Sequence, residues 1–142
     1  MLAFDAVLIF QALVGAFDNL WHHEWQARLP QRPGARRELR WHAIREALYG
    51  ALFLALAWWT WQGLLALLIA AVLAVEIVIT LADFLEEDSS RSLPPLERVL
   101  HTVLAISYGA FVALLAPVLI AWAQLPIGLG DAGRGLVSWL YT

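Results

Sequence analysis

Four long apolar blocks alternate with short polar breaks along the chain. The first, LAFDAVLIFQALVGAFDNLWH, runs from Leu2 to His22. The break LPQRPGARREL follows, with Pro30, Pro33 and Gly34 as helix breakers. The second block runs from about Leu39 to Trp61, and Gln62–Gly63 makes a tight connection to the third, Leu64 to Glu87. In the break DSSRSLPP, Ser92 with Pro94 and Pro95 marks the start of a helix. The fourth block runs from Leu96 to Ala123, with a kink expected at Pro117. Each block reaches the roughly 20 residues that a helix needs to cross the hydrocarbon of a bilayer. The remainder, residues 124–142, is Gly-rich and ends in GLVSWLYT, too short to span. The pattern predicts an all-α integral membrane protein: an antiparallel four-transmembrane-helix bundle over residues 1–123, with a short C-terminal interfacial segment over 124–142.

Composition agrees. Of 142 residues, 61% are hydrophobic and 15% charged, with a mean hydropathy of +0.68. A water-soluble domain of this size cannot bury that much apolar surface, because small proteins keep a high surface-to-volume ratio. With Asp5 where a signal peptide carries positive charge, the first block reads as a retained helix. The chain has no cysteine, which excludes disulfides, thiolate metal sites and thiol catalysis. A net charge of −3 points to no nucleic-acid partner.

The position of the arginines predicts orientation. Arg28, Arg32, Arg36, Arg37 and Arg40 fall between the first two spans, with Arg45 just beyond; Arg91 and Arg98 flank the connection between the last two. The opposite connection is uncharged and bordered by Trp58, Trp59 and Trp61, and only Arg134 lies on that side. This predicts a multi-pass protein of a bacterial-type inner membrane, with Arg-rich loops in the cytoplasm and both termini outside.

Ionisable side chains inside a span are costly, so their arrangement is informative. Residues four or seven apart share a helix face. Asp18 and His22, with Gln11 and Gly15, form one stripe; Glu38, His42 and Glu46, continued by Tyr49, form a second. Glu76, Thr80, Asp83 and Glu87 form a third, and Glu97 with His101, continued by Tyr108, a fourth. All cluster in the cytoplasmic half of the predicted bundle. Packed together and uncompensated, these carboxylates would repel one another and take up protons.

A pair of divalent metal ions resolves that conflict, and four-helix bundles hold dinuclear sites with inward Glu and His. The expected ligands are Asp18, His22, His42, Glu46, Glu76, Asp83, Glu97 and His101. Oxygen and nitrogen ligands without sulfur favour iron, with zinc and manganese next. The plan is similar to that of soluble di-iron carboxylate bundles, but their Glu-x-x-His step is three residues, whereas every Asp/Glu–His step here is four.

The function expected is that of a membrane metalloenzyme oxidising or otherwise modifying a hydrophobic small-molecule substrate drawn from membrane lipid. Tyr49 or Tyr108 would supply a proton or an electron. A zinc lipid hydrolase comes second. A divalent-cation or proton transporter or channel subunit would also use intramembrane carboxylates and histidines, and a homo-oligomer or a partner membrane subunit is then expected. A haem-binding membrane protein would account for the histidines but not for the carboxylates.

Blander roles are assigned to residues at the helix ends. Glu38, Glu87 and Asp88 are expected in solvent, His23 and Glu24 among lipid headgroups, and Asp5 near the outer surface. Arg45 and Arg98 are expected to snorkel to phosphates.

Overall fold

The computed structural model describes residues 3–26, 28–31, 34–90 and 92–139. Leu2, Arg32, Pro33, Arg91 and residues 140–142, which figure in the expected spans, loops and tail, lie outside them.

Helix α1 spans Ala3–Asp18 and continues directly into π-helical turns over Asn19–Gln26. A 3-10 turn at Leu29–Gln31 and a left-handed Gly34 (φ 93°) lead into α2, Arg36–Trp58. The chain then extends as β1, Trp59–Gln62, and turns at Gly63 (φ 60°) into α3, Leu64–Ser90. Helix α4 spans Pro95–Ala123 and starts on proline at its first turn, where the missing N–H costs no hydrogen bond. Strand β2, Gly128–Asp131, and the short α5, Leu136–Trp139, complete the order.

Among the described residues, three helical stretches are long and apolar enough to cross a membrane: Ala3–Gln26, Leu64–Ser90 and Pro95–Ala123. Helix α2 has comparable length, 23 residues, but its first half carries Arg36, Arg37, Glu38, Arg40, Arg45 and Glu46, so its hydropathy falls short. The surface supports a membrane setting. Leu13, Leu64, Val78, Leu85, Ile106 and Ile120 are between 65% and 74% exposed, while carboxylates and histidines are buried. That is the reverse of a water-soluble domain.

Helix α2 packs on α3, α3 on α4 and α4 on α1, whereas α1 and α2 scarcely touch. The interior is stacked in levels seven residues apart. Seven residues make two turns, a rise of about 10.5 Å, and return within about 20° of the same direction. One level is dry: Phe4, Leu56, Ile69 and Leu115 all belong to the buried apolar core. Seven residues along each helix stand Gln11, Tyr49, Glu76 and Tyr108, which share the lining of one cavity. Seven further stand Asp18, His42, Asp83 and His101, all buried.

The purely helical expectation misses a small sheet. Helix α2 ends at Trp58, not Trp61, and β1 pairs antiparallel with β2 in the register Trp59↔Asp131 to Gln62↔Gly128. An extended segment needs a partner for its backbone groups, and the glycines of the tail allow close approach. A Cβ at Gly130 would lie 2.5 Å from the Thr60 hydroxyl. The tail is fastened further along: Ser138 Oγ donates to the Ala57 carbonyl (2.7 Å), and Trp139 meets Trp58 edge-on. Arg134 donates to the Leu56 carbonyl and pairs with the fully buried Asp5 (3.4 Å). Asp5 is therefore an interior residue, contrary to its expected surface position. This assembly closes the dry end of the helices.

Candidate metal centre

The polar end begins with the π-helical turns. In an α-helix neighbouring residues point about 100° apart; the wider π turn narrows that angle and often marks a functional site. Here it carries both His22 and His23 inward, and both are buried. The headgroup position expected for His23 assumes uniform α-helical geometry, which ends at Asp18.

His23, Glu87, Glu97 and His101 form a four-residue cluster, drawn from the first, third and fourth long helices. His23 Nε2 lies 3.5 Å from Glu97 Oε1 and 3.7 Å from Glu87 Oε1, and His101 Nδ1 lies 3.4 Å from Glu87 Oε2. Ligands about 2.1 Å from a tetrahedrally coordinated ion are themselves about 3.4 Å apart, and groups gathered this closely could hold a metal ion. His42, Asp83 and Glu87 form a second group, so Glu87 belongs to both. His42 Nδ1 is 3.6 Å from Asp83 Oδ2, and the His42 ring stacks on His23 with centroids 4.2 Å apart.

Asp18 and His22 stand behind this arrangement. Asp18 Oδ2 meets His101 Nε2 at 3.1 Å, leaving His101 Nδ1 toward Glu87, and Asp18 Oδ1 meets His22 Nδ1 at 2.7 Å. A carboxylate on the far nitrogen fixes an imidazole's tautomer and orientation, as is usual for metal-bound histidine.

Arg45 is buried rather than snorkelled. Its Nη1 pairs with Asp83 Oδ2 at 2.6 Å, and its Nη2 donates to His42 Nδ1 at 3.0 Å. The reason is the charge it faces: Asp18, Glu38, Asp83, Glu87 and Glu97 are all buried at this end, and among the described residues Arg45 is the one buried guanidinium there. Charges removed from water need partners. Glu38 and Glu87, expected in solvent, are enclosed because α3 runs past Glu87 to Ser90, whose hydroxyl donates to Glu38 at 2.8 Å. Glu24 and Asp88 stay exposed.

The eight expected ligands thus fall into different places. Glu97 and His101 stand in the four-residue cluster, and His42 and Asp83 in the second group. Asp18 and His22 adjoin them. Glu46 lies at the margin, its side chain 45% exposed and 4.0 Å from His42 Nε2. Glu76 lies two turns away, accepting from Thr80 at 2.5 Å and flanked by Tyr49 and Tyr108, whose rings meet edge-to-face. His23 and Glu87 are the additions. Glu87 is visible in sequence on the third stripe; for His23 the signal is the adjacent His22–His23 pair closing an apolar block.

Above the cluster lies a cavity of about 920 Å³, bordered by Asp18 and His42 at one end and by Gln11, Glu76 and Tyr108 at the other. No protein family, curated protein or solved structure matches the chain.

Proposed function

We propose that the protein is a four-span membrane metalloenzyme, with two divalent cations held by the histidine–carboxylate cluster and a lipid-soluble substrate taken into the cavity above it. The observation that carries this reading is a single buried cluster of imidazoles and carboxylates with ligand spacing, in which Glu87 is common to both groups. Five carboxylates and four imidazoles are buried at this end with one guanidinium, and buried charges are usually paired or coordinate metals. Divalent cations would satisfy this donor set.

The charges that lower the hydropathy of α2 support its role as the fourth span. Glu38, His42 and Arg45 are buried at the cluster, so they face protein and not lipid. The four-residue group is the better of the two sites. In the second group Arg45 already engages Asp83 and His42, and an ion there must displace it.

The donor set contains nitrogen and oxygen and no sulfur, which favours iron, with zinc and manganese next. Iron supplies oxidation chemistry; zinc supplies a water of lowered pKa for hydrolysis. The protein's own part is to orient His101 through Asp18, to keep bulk water out with the packed apolar level, and to hold the substrate beside the cluster. A through-path for ions is disfavoured by the dry level and by the sheet and tail that close that end.

Elemental analysis of the purified full chain tests the reading. The expected result is one to two equivalents of a transition metal, reduced at least by half in Glu97→Ala and His101→Ala and unchanged in Glu46→Ala. Absence of stoichiometric metal from the wild type after reconstitution with iron, zinc and manganese would overturn it.

A further inference from the structure

The level between the dry core and the metal cluster is neither apolar nor a ligand set. Gln11, Tyr49, Glu76 and Tyr108 stand seven residues from Asp18, His42, Asp83 and His101 respectively, one on each long helix. All four line the cavity. A polar level in mid-span costs free energy unless its groups are satisfied. Part of it is: Thr80 donates to Glu76 Oε1, and Tyr108 donates to the Leu73 carbonyl at 3.3 Å. One acceptor is not. Gln11 Oε1 is buried without a hydrogen-bond donor, whereas both phenols lie within hydrogen-bonding reach of Glu76. Gln11 is 5% exposed and Glu76 1% exposed. What Gln11 Oε1 lacks is a donor, and the space beside it is the cavity.

The cavity also has a way in. Helices α1 and α2 scarcely touch, and small residues face the gap: Gly15 and Ala16 on α1, and Gly50 on α2, all in the lining. A Cβ at Gly15 or Gly50 would meet nothing within 4 Å. A molecule dissolved in lipid reaches the interior here without crossing water.

We propose that the cavity binds a lipid-soluble molecule bearing a hydroxyl, whose O–H donates to Gln11 at a level two helical turns from that of Asp18, His42, Asp83 and His101. The hydroxyl is neutral, so it enters the hydrocarbon region at far lower cost than an ammonium group. The separation of the levels, about 10.5 Å, places a different part of the same molecule, its chain or ring, beside the cluster. A site built to accept a hydrogen bond discriminates strongly against an analogue without the donor, because its buried acceptors are then left unpaired. The proposal names a substrate class and so rests on the reading of the site as an enzyme, but the binding itself does not require metal.

Photolabelling tests it. The full chain in lipid nanodiscs is labelled with a diazirine-bearing long-chain alcohol, with dodecanol, dodecyl methyl ether or dodecane as competitor. Labelled residues are mapped by mass spectrometry, and metal content is measured on the same preparations. The expected labels fall on cavity residues, and dodecanol competes at a concentration at least about tenfold lower than the ether or the alkane. Gln11→Leu abolishes that preference. Gly50→Trp, which fills the gap from outside the polar level, abolishes labelling in the cavity while metal content is kept. Equal competition by alcohol and ether, labels outside the cavity, or a preference unchanged in Gln11→Leu would overturn the proposal. Preference for the alcohol in a wild-type protein that binds no metal leaves this site standing and removes the metalloenzyme reading; metal without the preference does the reverse.

Discussion

At the scale of single residues, Arg45 shows how charge decides position. A long basic side chain near a helix end ordinarily reaches for water or phosphate. Here it turns inward, over the ring of Phe84 and onto Asp83. Removing one partner of a buried pair leaves the other uncompensated and costs about 3–5 kcal/mol. Arg45→Ala is therefore expected to lower the thermal unfolding midpoint markedly in chelator, and added divalent metal should restore much of it by replacing the lost positive charge. An Arg45→Ala protein as stable as wild type in chelator would show that Asp83 is neutral or solvated. His101 illustrates the opposite economy: one ring nitrogen is fixed by Asp18 and the other faces Glu87, so both are used.

At the scale of elements, two local departures from regular structure set the geometry. The π-helical turns after Asp18 bring consecutive histidines to one side, and hydrophobic periodicity carries no signal of them because the burial they produce is polar. The second departure is the β1–α3 turn. Gly63 has φ 60°, and a Cβ there would lie 2.8 Å from the backbone of Ile127. A side chain in the left-handed region costs about 1–2 kcal/mol, and here backbone contact adds to it. Gly63→Ala should lower stability more than Gly133→Ala, which has φ 64° and nothing within 4 Å. Equal midpoints for the two variants would show that the tail does not press on the turn. Regular α-helix, by contrast, is legible throughout: α3 and α4 include the third and fourth apolar blocks and extend them by a few residues.

At the scale of the whole molecule, one end is dry and braced and the other polar and charged. The brace includes the ion pair of Asp5 with Arg134, both enclosed. Arg134→Ala should cost about 3–5 kcal/mol by the same reasoning as for Arg45, and a thermal midpoint within a degree or two of wild type would count against it. The absence of native cysteine allows orientation to be read directly. A single cysteine at Arg36 should react with a membrane-impermeant maleimide from the cytoplasmic side, and one at Asp131 from the outside. The reverse pattern would overturn the arginine argument.

The sequence by itself determined the helical, membrane-suited character and the four polar stripes, because both follow from periodicity and from the cost of charge in hydrocarbon. It also contained the seven-residue steps that stack Gln11 over Asp18 and Glu76 over Asp83. Only the tertiary structure decided which stripe residues meet. It brought His23 and Glu87 into the cluster, left Glu46 at its margin, buried Arg45, and folded the tail onto β1. Those outcomes depend on local helix geometry and on pairing between segments distant in sequence, and neither is fixed by the pattern of apolar and polar residues along a single helix.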